Sequence, residues 1–511
     1  MKLISVCKEK ELWKEKGYHV FEYDRDAMIE ETRKEPEWVH FGSGNLFRAF
    51  QAAFADRLLE EGILDKGIIA VGGTSSKNID TYFRAFDDLH ITVTLRSDGN
   101  IDKRVIGSVA ESVKIEEKER LEEIFEAPTL KVVTFTITEK GYRVKENEPD
   151  LNRRPEEAQS YLGRIAALLY HRYQSGACPL TMSSHDNCSR NGDVLKRSIL
   201  TFADAWGDEG FETYLEEKVS FPISMIDKIT PRPDKKVAQI LREDGVEDLD
   251  ALDPDYYMNC FVNAEESEYL VIEDDFRNGR PDWEKTGVIF TDRETVDKVE
   301  KMKVCTCLNP VHTSLAIYGC LLGHHLICEE MKDEELCKLA KHVGYDEGLP
   351  VVVDPGIIDP KEFIDTVIEV RLKNPFMPDA PQRIAMDTSQ KIPVRFGETL
   401  KAYLKQGKDL NELVYIPLVF AGWLRYLTGI NDDGDRFELS SDPLLEQLVP
   451  MMSKYQLGDT VEKKDILPIL KNDRIFGIDL EENNLGDKVT AYLNELLKEK
   501  GAVRKTLRKY V

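Results

Sequence analysis

The stretch from Trp38 to Leu58 limits what this 511-residue chain can fold into more than any other. A short apolar run, Trp38 to Phe41, breaks into Gly42-Ser43-Gly44, after which Phe47, Phe50, Phe54 and Leu58 recur at helical spacing. A second apolar run, GIIAVGG from Gly67 to Gly73, follows. Strand, glycine turn, helix and strand are the opening of a dinucleotide-binding fold: absent β-carbons let the backbone approach a pyrophosphate, and the helix aims free N–H groups at it. Gly42, Gly44, Asn45, Phe47 and Arg48 are the cofactor-binding candidates on this turn. Phe47 stands where the usual fingerprint has its third glycine, so a plain strand-to-helix turn is the competing reading. After the second strand come Gly72, Gly73, Thr74, Ser75, Ser76 and Lys77, with no carboxylate to bind ribose hydroxyls. NAD is expected there, and NADP stays open.

The rest of the chain divides in two by its periodicity. HITVTL (His90 to Leu95) and KRVIGSV (Lys103 to Val109) flank the turn SDGN and predict a hairpin. KVVTFTIT (Lys131 to Thr138) reads as a buried strand, and PEEAQSYLGRIAALLYHRY as a long amphipathic helix leading to the strand PLTMSS. Strands and helices alternate to about residue 230, whereas helical periodicity dominates from NPVHTSLAIYGCLLGHH onward. The expected class is α/β: a Rossmann-like dinucleotide-binding domain with extra strands over 1–296, then a mostly helical substrate-binding domain over 297–511. Residues 1–35 are charged and lack a strong period, which predicts a helical or loop extension on the surface.

Charge and cysteine usage exclude several classes. With 94 acidic and 69 basic residues, a formal charge of -25 disfavours nucleic acid and anionic membranes as partners. The amino-terminal residues lack the apolar core of a secretory signal, and no run approaches the roughly 20 apolar residues of a membrane span. The nine cysteines are scattered without a CxxC, as reduced thiols in a cytoplasmic protein would be. His185 and Cys188 are three apart, but no further ligands complete a metal set, so no metal is expected.

Six blocks, in order, carry a resemblance: HFGSGNLFRAF, TITEKGY, SSHDNCSRNGD, VSFPISMIDKITP, LNPVHTSLA and RLKNPFMPDAPQRIAMDTSQKIP. Together they resemble the polyol-specific long-chain dehydrogenases, the family that includes mannitol dehydrogenase, fructuronate reductase and tagaturonate reductase, over about residues 38 to 440. The resemblance implies a metal-independent hydride transfer to or from NAD(P), acting on a small sugar acid or polyol. D-mannonate and D-fructuronate are the first expectation, tagaturonate reduction the second, and mannitol or its phosphate the third. A nucleotide-binding scaffold that has lost its chemistry is the alternative from another class. Nothing in the sequence sets the oligomeric state beyond a monomer or weak homo-oligomer.

By the same resemblance, an upstream lysine is the general base, Asn309 and His312 bind the substrate, and Asn191 joins Asn309 in holding the reacting oxygen through amide N–H donors. The family places the lysine five residues before the asparagine; here Lys303 is six before and Lys301 eight. A one-residue insertion or helix bulge would reconcile Lys303 with that spacing. A lysine serves as base near neutrality when burial or nearby positive charge brings its pKa toward about 7 or 8. Pro310 suits the first turn of a helix, on which Asn309 and His312 would share a face. Asp227 occupies the invariant acidic position of the signature VSFPISMIDKITP, in which Ile226 replaces valine and Lys228 replaces arginine. Arg371, Asn374 and Lys391 are implied contacts to substrate hydroxyls and carboxylate, and Thr138 and Glu139 lie on the nucleotide side. His185 and Asp186 read as structural residues at a strand end. Each of these residues taken alone is more often a solvated charge or a turn former than a functional group.

Overall fold

The computed structural model describes residues 1–73, 77–249 and 258–511. It divides into two compact units, one of Met1–Arg96 with Asn100–Asp297, the other of Ser97–Gly99 with Lys298–Val511. The first holds thirteen strands among its described residues: β1 (Tyr18–Val20), β2 (Trp38–Phe41), β3 (Ile68–Val71), β4 (His90–Leu95), β5 (Ile101–Ile106), β6 (Val109–Val113), β7 (Val132–Phe135), β8 (Leu180–Ser184), β9 (Val219–Ser220), β10 (Ser224–Asp227), β11 (Phe261–Glu265), β12 (Tyr269–Glu273) and β13 (Ile289–Thr291).

Six of them form one sheet in the order β6-β3-β2-β7-β8-β9, with every neighbouring pair parallel. Strands β2, β3, β7 and β8 are buried along their whole length, as a sheet covered on both faces requires. Alternation sorts their side chains. Val39, Phe41, Ile69, Val71, Val133 and Phe135 pack with Leu162, Ile165, Leu169, Leu195 and Phe202, while Trp38, Ile68, Ala70 and Val132 pack with Phe47, Phe54, Leu58 and Trp283. The chain runs outward through β2, β3 and β6 and then returns to lay β7 beside β2. The carboxyl ends of β2 and β7 therefore flank the switch point at which doubly wound sheets bind ligands.

The predicted hairpin forms, with His90 opposite Ile106 and Leu95 opposite Ile101. It belongs to a second sheet, β1-β5-β4-β11, and β10-β12-β13 make a third. The amino-terminal segment departs from the expected surface extension. Leu3, Val6 and Trp13 are fully buried, β1 pairs with β5 in parallel register from Tyr18 opposite Lys103 to Val20 opposite Val105, and Arg25–Lys34 forms a helix. Its apolar residues are too sparse among lysines and glutamates to show a period, yet Tyr18, Val20, Phe21 and Met28 are buried as well, while Ile4 and Leu12 stay exposed. The buried carboxylate of Asp56 ties this segment down, accepting from Tyr23 Oη (2.7 Å), the Gly107 amide (3.0 Å) and Arg104 Nε (2.9 Å).

Among its described residues the second unit contains no strand. Its central helix, Asn309–Leu322, is buried along most of its length and packs against the helices Glu334–Lys341, Pro381–Ile384 and Tyr415–Tyr426. The start of Tyr415–Tyr426 is capped by the buried carboxylate of Glu347, which accepts from the Val414, Tyr415 and Ile416 amides. Three stretches, Lys303–Cys307, His342–Gly348 and Val367–Arg371, wind as π-helix.

Asp56→Ala leaves a buried amide and a half-buried hydroxyl and guanidinium without their acceptor and is expected to cost about 3 kcal/mol of stability. A fall in the urea unfolding midpoint checks this, and an unchanged midpoint would refute the anchoring role.

Candidate active site

In the first unit the turn after β2 is fixed by contacts with β7. Gly42 has φ +103°, and a β-carbon there would lie 2.1 Å from the Thr136 carbonyl oxygen, so only glycine fits. His40 sits beneath the turn, with Nδ1 2.7 Å from Thr134 Oγ1 and Nε2 2.8 Å from Thr136 Oγ1; the Thr136 hydroxyl in turn donates to the Gly42 carbonyl (2.9 Å). Burial, with His185 nearby, holds the His40 imidazole well below its usual pKa, so this tether is uncharged at neutral pH. Gly44 serves differently. A β-carbon there meets nothing within 4 Å, so the missing side chain leaves open space in front of the Asn45–Ala49 helix. A turn closed on one side and open on the other is what a pyrophosphate needs, so these residues fit a dinucleotide.

Two candidates on this turn, Phe47 and Arg48, have buried side chains, which leaves their backbone N–H groups as what they can offer a ligand. The Phe47 ring is fully buried, stacked at 4.3 Å on His40, and so fills core instead of lining a ligand surface. The Arg48 guanidinium also lies inside the fold, donating to the Asn259 carbonyl (2.7 Å), and burial pushes it down to about 10. Both side chains point away from the open face of the turn.

Thr138 and Glu139 are exposed at the end of β7, where Thr138 adopts φ +66°. Asp186 holds that turn by accepting from the Ile137 and Thr138 amides (both 2.9 Å) and from Tyr142 Oη (2.6 Å). At the end of β3, Thr74, Ser75 and Ser76, on which the choice between NAD and NADP was read, lie outside the described residues.

Asn191 is buried and held on every side. Its side-chain nitrogen donates to the Asp186 carbonyl (2.9 Å) and Ser224 Oγ (3.0 Å), and its oxygen accepts from the Gly192 (2.8 Å) and Ser224 (2.9 Å) amides. Both donors are engaged, so Asn191 has none to offer a reacting oxygen; it laces the end of β8 to the start of β10. Asp227 is buried at the end of β10 opposite Tyr269, and Lys228 turns instead to the Glu265 carbonyl (2.7 Å) and Glu268 (3.1 Å). His185 is buried between Gln51 and Ser183, and all nine cysteines are free thiols.

The helical unit gathers the remaining candidates. In the π-helical turn Lys303–Cys307 the Leu308 amide donates to the Lys303 carbonyl (3.0 Å), five residues back, so one extra residue is accommodated between Lys303 and Asn309. Lys303 is buried at 4% exposure, whereas the Lys301 side chain is 54% exposed and lies 3.6 Å from Glu398. Asn309 opens the next helix with Pro310 in its first turn, and His312 follows on the same face. His312 Nε2 lies 3.7 Å from Asp379 Oδ2. Burial chiefly brings His312 down to about 4: Asp379 opposes the shift, and Arg395, Arg383 and Arg371 add to it, so the ring is neutral at pH 7.

Arg371 and Asn374 are both buried. Lys391 donates to the Ile384 carbonyl (3.2 Å), and burial, then the charge of Arg395, brings its amine down to about 8. Three charged groups that sequence reasoning did not name belong to this cluster: Asp379, Arg383, which forms an ion pair with it, and Arg395. Arg395 shares the Thr388–Arg395 helix with Lys391, and Arg383 lies on the short Pro381–Ile384 helix just before it.

A glycine turn at the switch point of a parallel sheet, joined in one chain to a helical unit that gathers cations around a histidine, is the equipment of a nucleotide-dependent dehydrogenase acting on an alcohol. Two family models cover most of the chain, the mannitol dehydrogenase Rossmann domain over residues 36–285 and the mannitol dehydrogenase C-terminal domain over 295–497. The chain belongs to the mannitol dehydrogenase family. It is 45% identical to a D-mannonate oxidoreductase of Thermotoga maritima over 99% of this chain and 98% of the relative. A D-mannonate oxidoreductase of Escherichia coli is 31% identical over 92% and 95%. Among solved structures, Pseudomonas fluorescens mannitol 2-dehydrogenase, in a ternary complex with NAD and D-mannitol, superposes with a TM-score of 0.71 at 27% identity, covering 96% of each chain.

Gly42→Ala places a β-carbon on the Thr136 carbonyl and is expected to weaken nucleotide binding at least about tenfold. Fluorescence titration with NADH measures it, and native affinity in the variant would remove Gly42 from the site.

Proposed function

We propose that the protein interconverts D-mannonate and D-fructuronate by direct hydride transfer with NAD, the nucleotide held within residues 1–296 and the sugar acid within 297–511. The observation that carries this reading is the cluster of Lys391, Arg371, Arg383 and Arg395 around a neutral His312, in a chain whose net charge is -25. Cations concentrated in an otherwise acidic protein suit an anionic substrate. The likeness to D-mannonate oxidoreductases along nearly the whole chain agrees with it. Reduction of tagaturonate is the second reading, since it presents the same carboxylate.

The turn of Gly42, Gly44 and Asn45, bordered by Thr138 and Glu139, would hold the dinucleotide, whose nicotinamide supplies the hydride acceptor or donor. Buried Lys303 takes the hydroxyl proton as hydride leaves the carbinol carbon, and returns it in the reverse direction. With Asn191 engaged elsewhere, the side-chain amide of Asn309 is the donor that stabilises charge on the reacting oxygen. Neutral His312 orients the neighbouring hydroxyl, and Arg371, Asn374 and Lys391 contact the acid. No metal enters this scheme. We place the enzyme in the cytoplasm as a monomer or weak homo-oligomer without nucleic-acid partners, in keeping with its charge and free thiols; no helix among the described residues is long and apolar enough to cross a membrane.

Consumption of NADH or NADPH in the presence of fructuronate, tagaturonate or fructose tests the reading and names the substrate. Consumption with none of the three would favour a scaffold. For the proton acceptor, Lys303→Ala is expected to lower kcat by at least about 100-fold, and Lys301→Ala by less than about twofold. Lys391 is the rival acceptor because of its lowered pKa, and a larger kcat loss in Lys391→Met than in Lys303→Ala would transfer the role. As an anion ligand, Lys391 acts in its charged form, present below about pH 8 and lost above it. KM for the acid should therefore stay flat below that value and climb above it, and in Lys391→Met be high at every pH. A KM in the wild type that falls above pH 8 would contradict the assignment.

A further inference from the structure

Arg395, the last residue of the Thr388–Arg395 helix, counts in the cationic cluster above but is assigned no contact there. Its helix packs against both the turn that carries Lys303 and the helix that carries Asn309 and His312. Arg395 Nη1 donates to Thr313 Oγ1 (2.5 Å), one residue past His312, and the Thr313 hydroxyl donates to the Asn309 carbonyl (2.7 Å). The guanidinium is thereby fixed to the same helical turn that presents Asn309 and His312. That contact is its one described hydrogen bond, and no carboxylate among the described residues lies within ion-pairing distance of it. Arg383, close by, has its charge met by Asp379. Burial pushes Arg395 down to about 10, which leaves it charged at neutral pH but poorly hydrated. A rigid fork anchored at one corner, with its remaining donors uncommitted, suits bidentate capture of a planar anion.

We infer that Arg395 receives the carboxylate of the substrate and is the residue that separates sugar acids from neutral polyols of the same carbon skeleton. This rests on the sugar-acid reading above and assigns its selectivity to one side chain. Lys391, whose amine also donates to a backbone carbonyl, then adds charge without geometry.

The discriminating quantity is kcat/KM for fructuronate divided by kcat/KM for fructose, in which a hydroxymethyl group replaces the carboxylate. Arg395→Met is expected to lower this ratio by about 100-fold, chiefly through KM for the acid. Arg395→Lys, which keeps the charge but loses the fork, should fall between, and added guanidinium ion should restore acid reduction in Arg395→Ala. Thr313→Val removes only the anchor and is expected to lower the ratio by about tenfold; it carries the test should the arginine variants fail to fold. A ratio unchanged in Arg395→Met or, failing that, in Thr313→Val, or both substrates declining in parallel, overturns the inference while leaving the enzyme a fructuronate reductase. Wild-type protein that does not reduce fructuronate at all overturns the sugar-acid reading and this inference with it.

Discussion

A cation withdrawn from water forfeits hydration worth several kcal/mol unless an opposite charge meets it, and the helical unit withdraws several around one histidine. The strain shows in the groups themselves: Lys391 is brought down to about 8, Arg395 to about 10 and His312 to about 4, each chiefly by burial. Asp379 answers part of this charge, through Arg383 and His312. The arrangement is costly for the protein alone and becomes favourable when an anion arrives, since the anion supplies the missing counter-charge in a medium where it counts for more than in water. Burial, with the same cations adding to it, keeps His312 neutral, and a neutral imidazole can both donate and accept at a sugar hydroxyl where an imidazolium could only donate.

Much of the nucleotide-binding fold could be read in the sequence because period and burial agree there. Strands covered on both faces are continuous apolar runs, and Trp38–Phe41, Ile68–Val71 and Val132–Phe135 are such runs. Where burial depends on distant partners, the signal fails. Leu3, Val6 and Trp13 show no period, and they are core in a segment whose strand β1 pairs with β5 more than eighty residues away. Strands β11, β12 and β13 pass unread for a similar reason: β11 joins β4 across a long stretch of chain, and β12 joins β10, so their burial is set by partners distant in the sequence.

The site was legible by position and less so by direction. The glycine turn, Asn309, His312 and Lys391 stand where the motif blocks put them, but a motif does not say which way a side chain points. Phe47 and Arg48 sit in the first turn of a helix whose open face belongs to backbone and to the space left by Gly44, so their side chains turn into the core. Asn191 reads as a donor by resemblance alone; its neighbours Asp186, Gly192 and Ser224 use up both its protons and its oxygen. Arg395 escaped notice for the opposite reason, since an arginine between Val394 and Phe396 on a polar helix resembles a surface charge until Thr313 is seen to hold it.

The spacing of Lys303 from Asn309 shows how a local irregularity reconciles two demands. Each added residue in an α-helix rotates everything upstream by about 100°. Val299 and Met302 are fully buried, and Lys303 must be buried beside them while the following helix presents Asn309 and His312. A regular helix with one residue too many would turn either the apolar pair or the lysine toward solvent. The π-helical turn takes up the surplus within five residues, Lys303–Cys307, so the apolar face upstream and the polar face downstream both keep their orientation. Such a turn sacrifices ordinary hydrogen-bond geometry for placement of a side chain, and the side chain placed here is the buried amine.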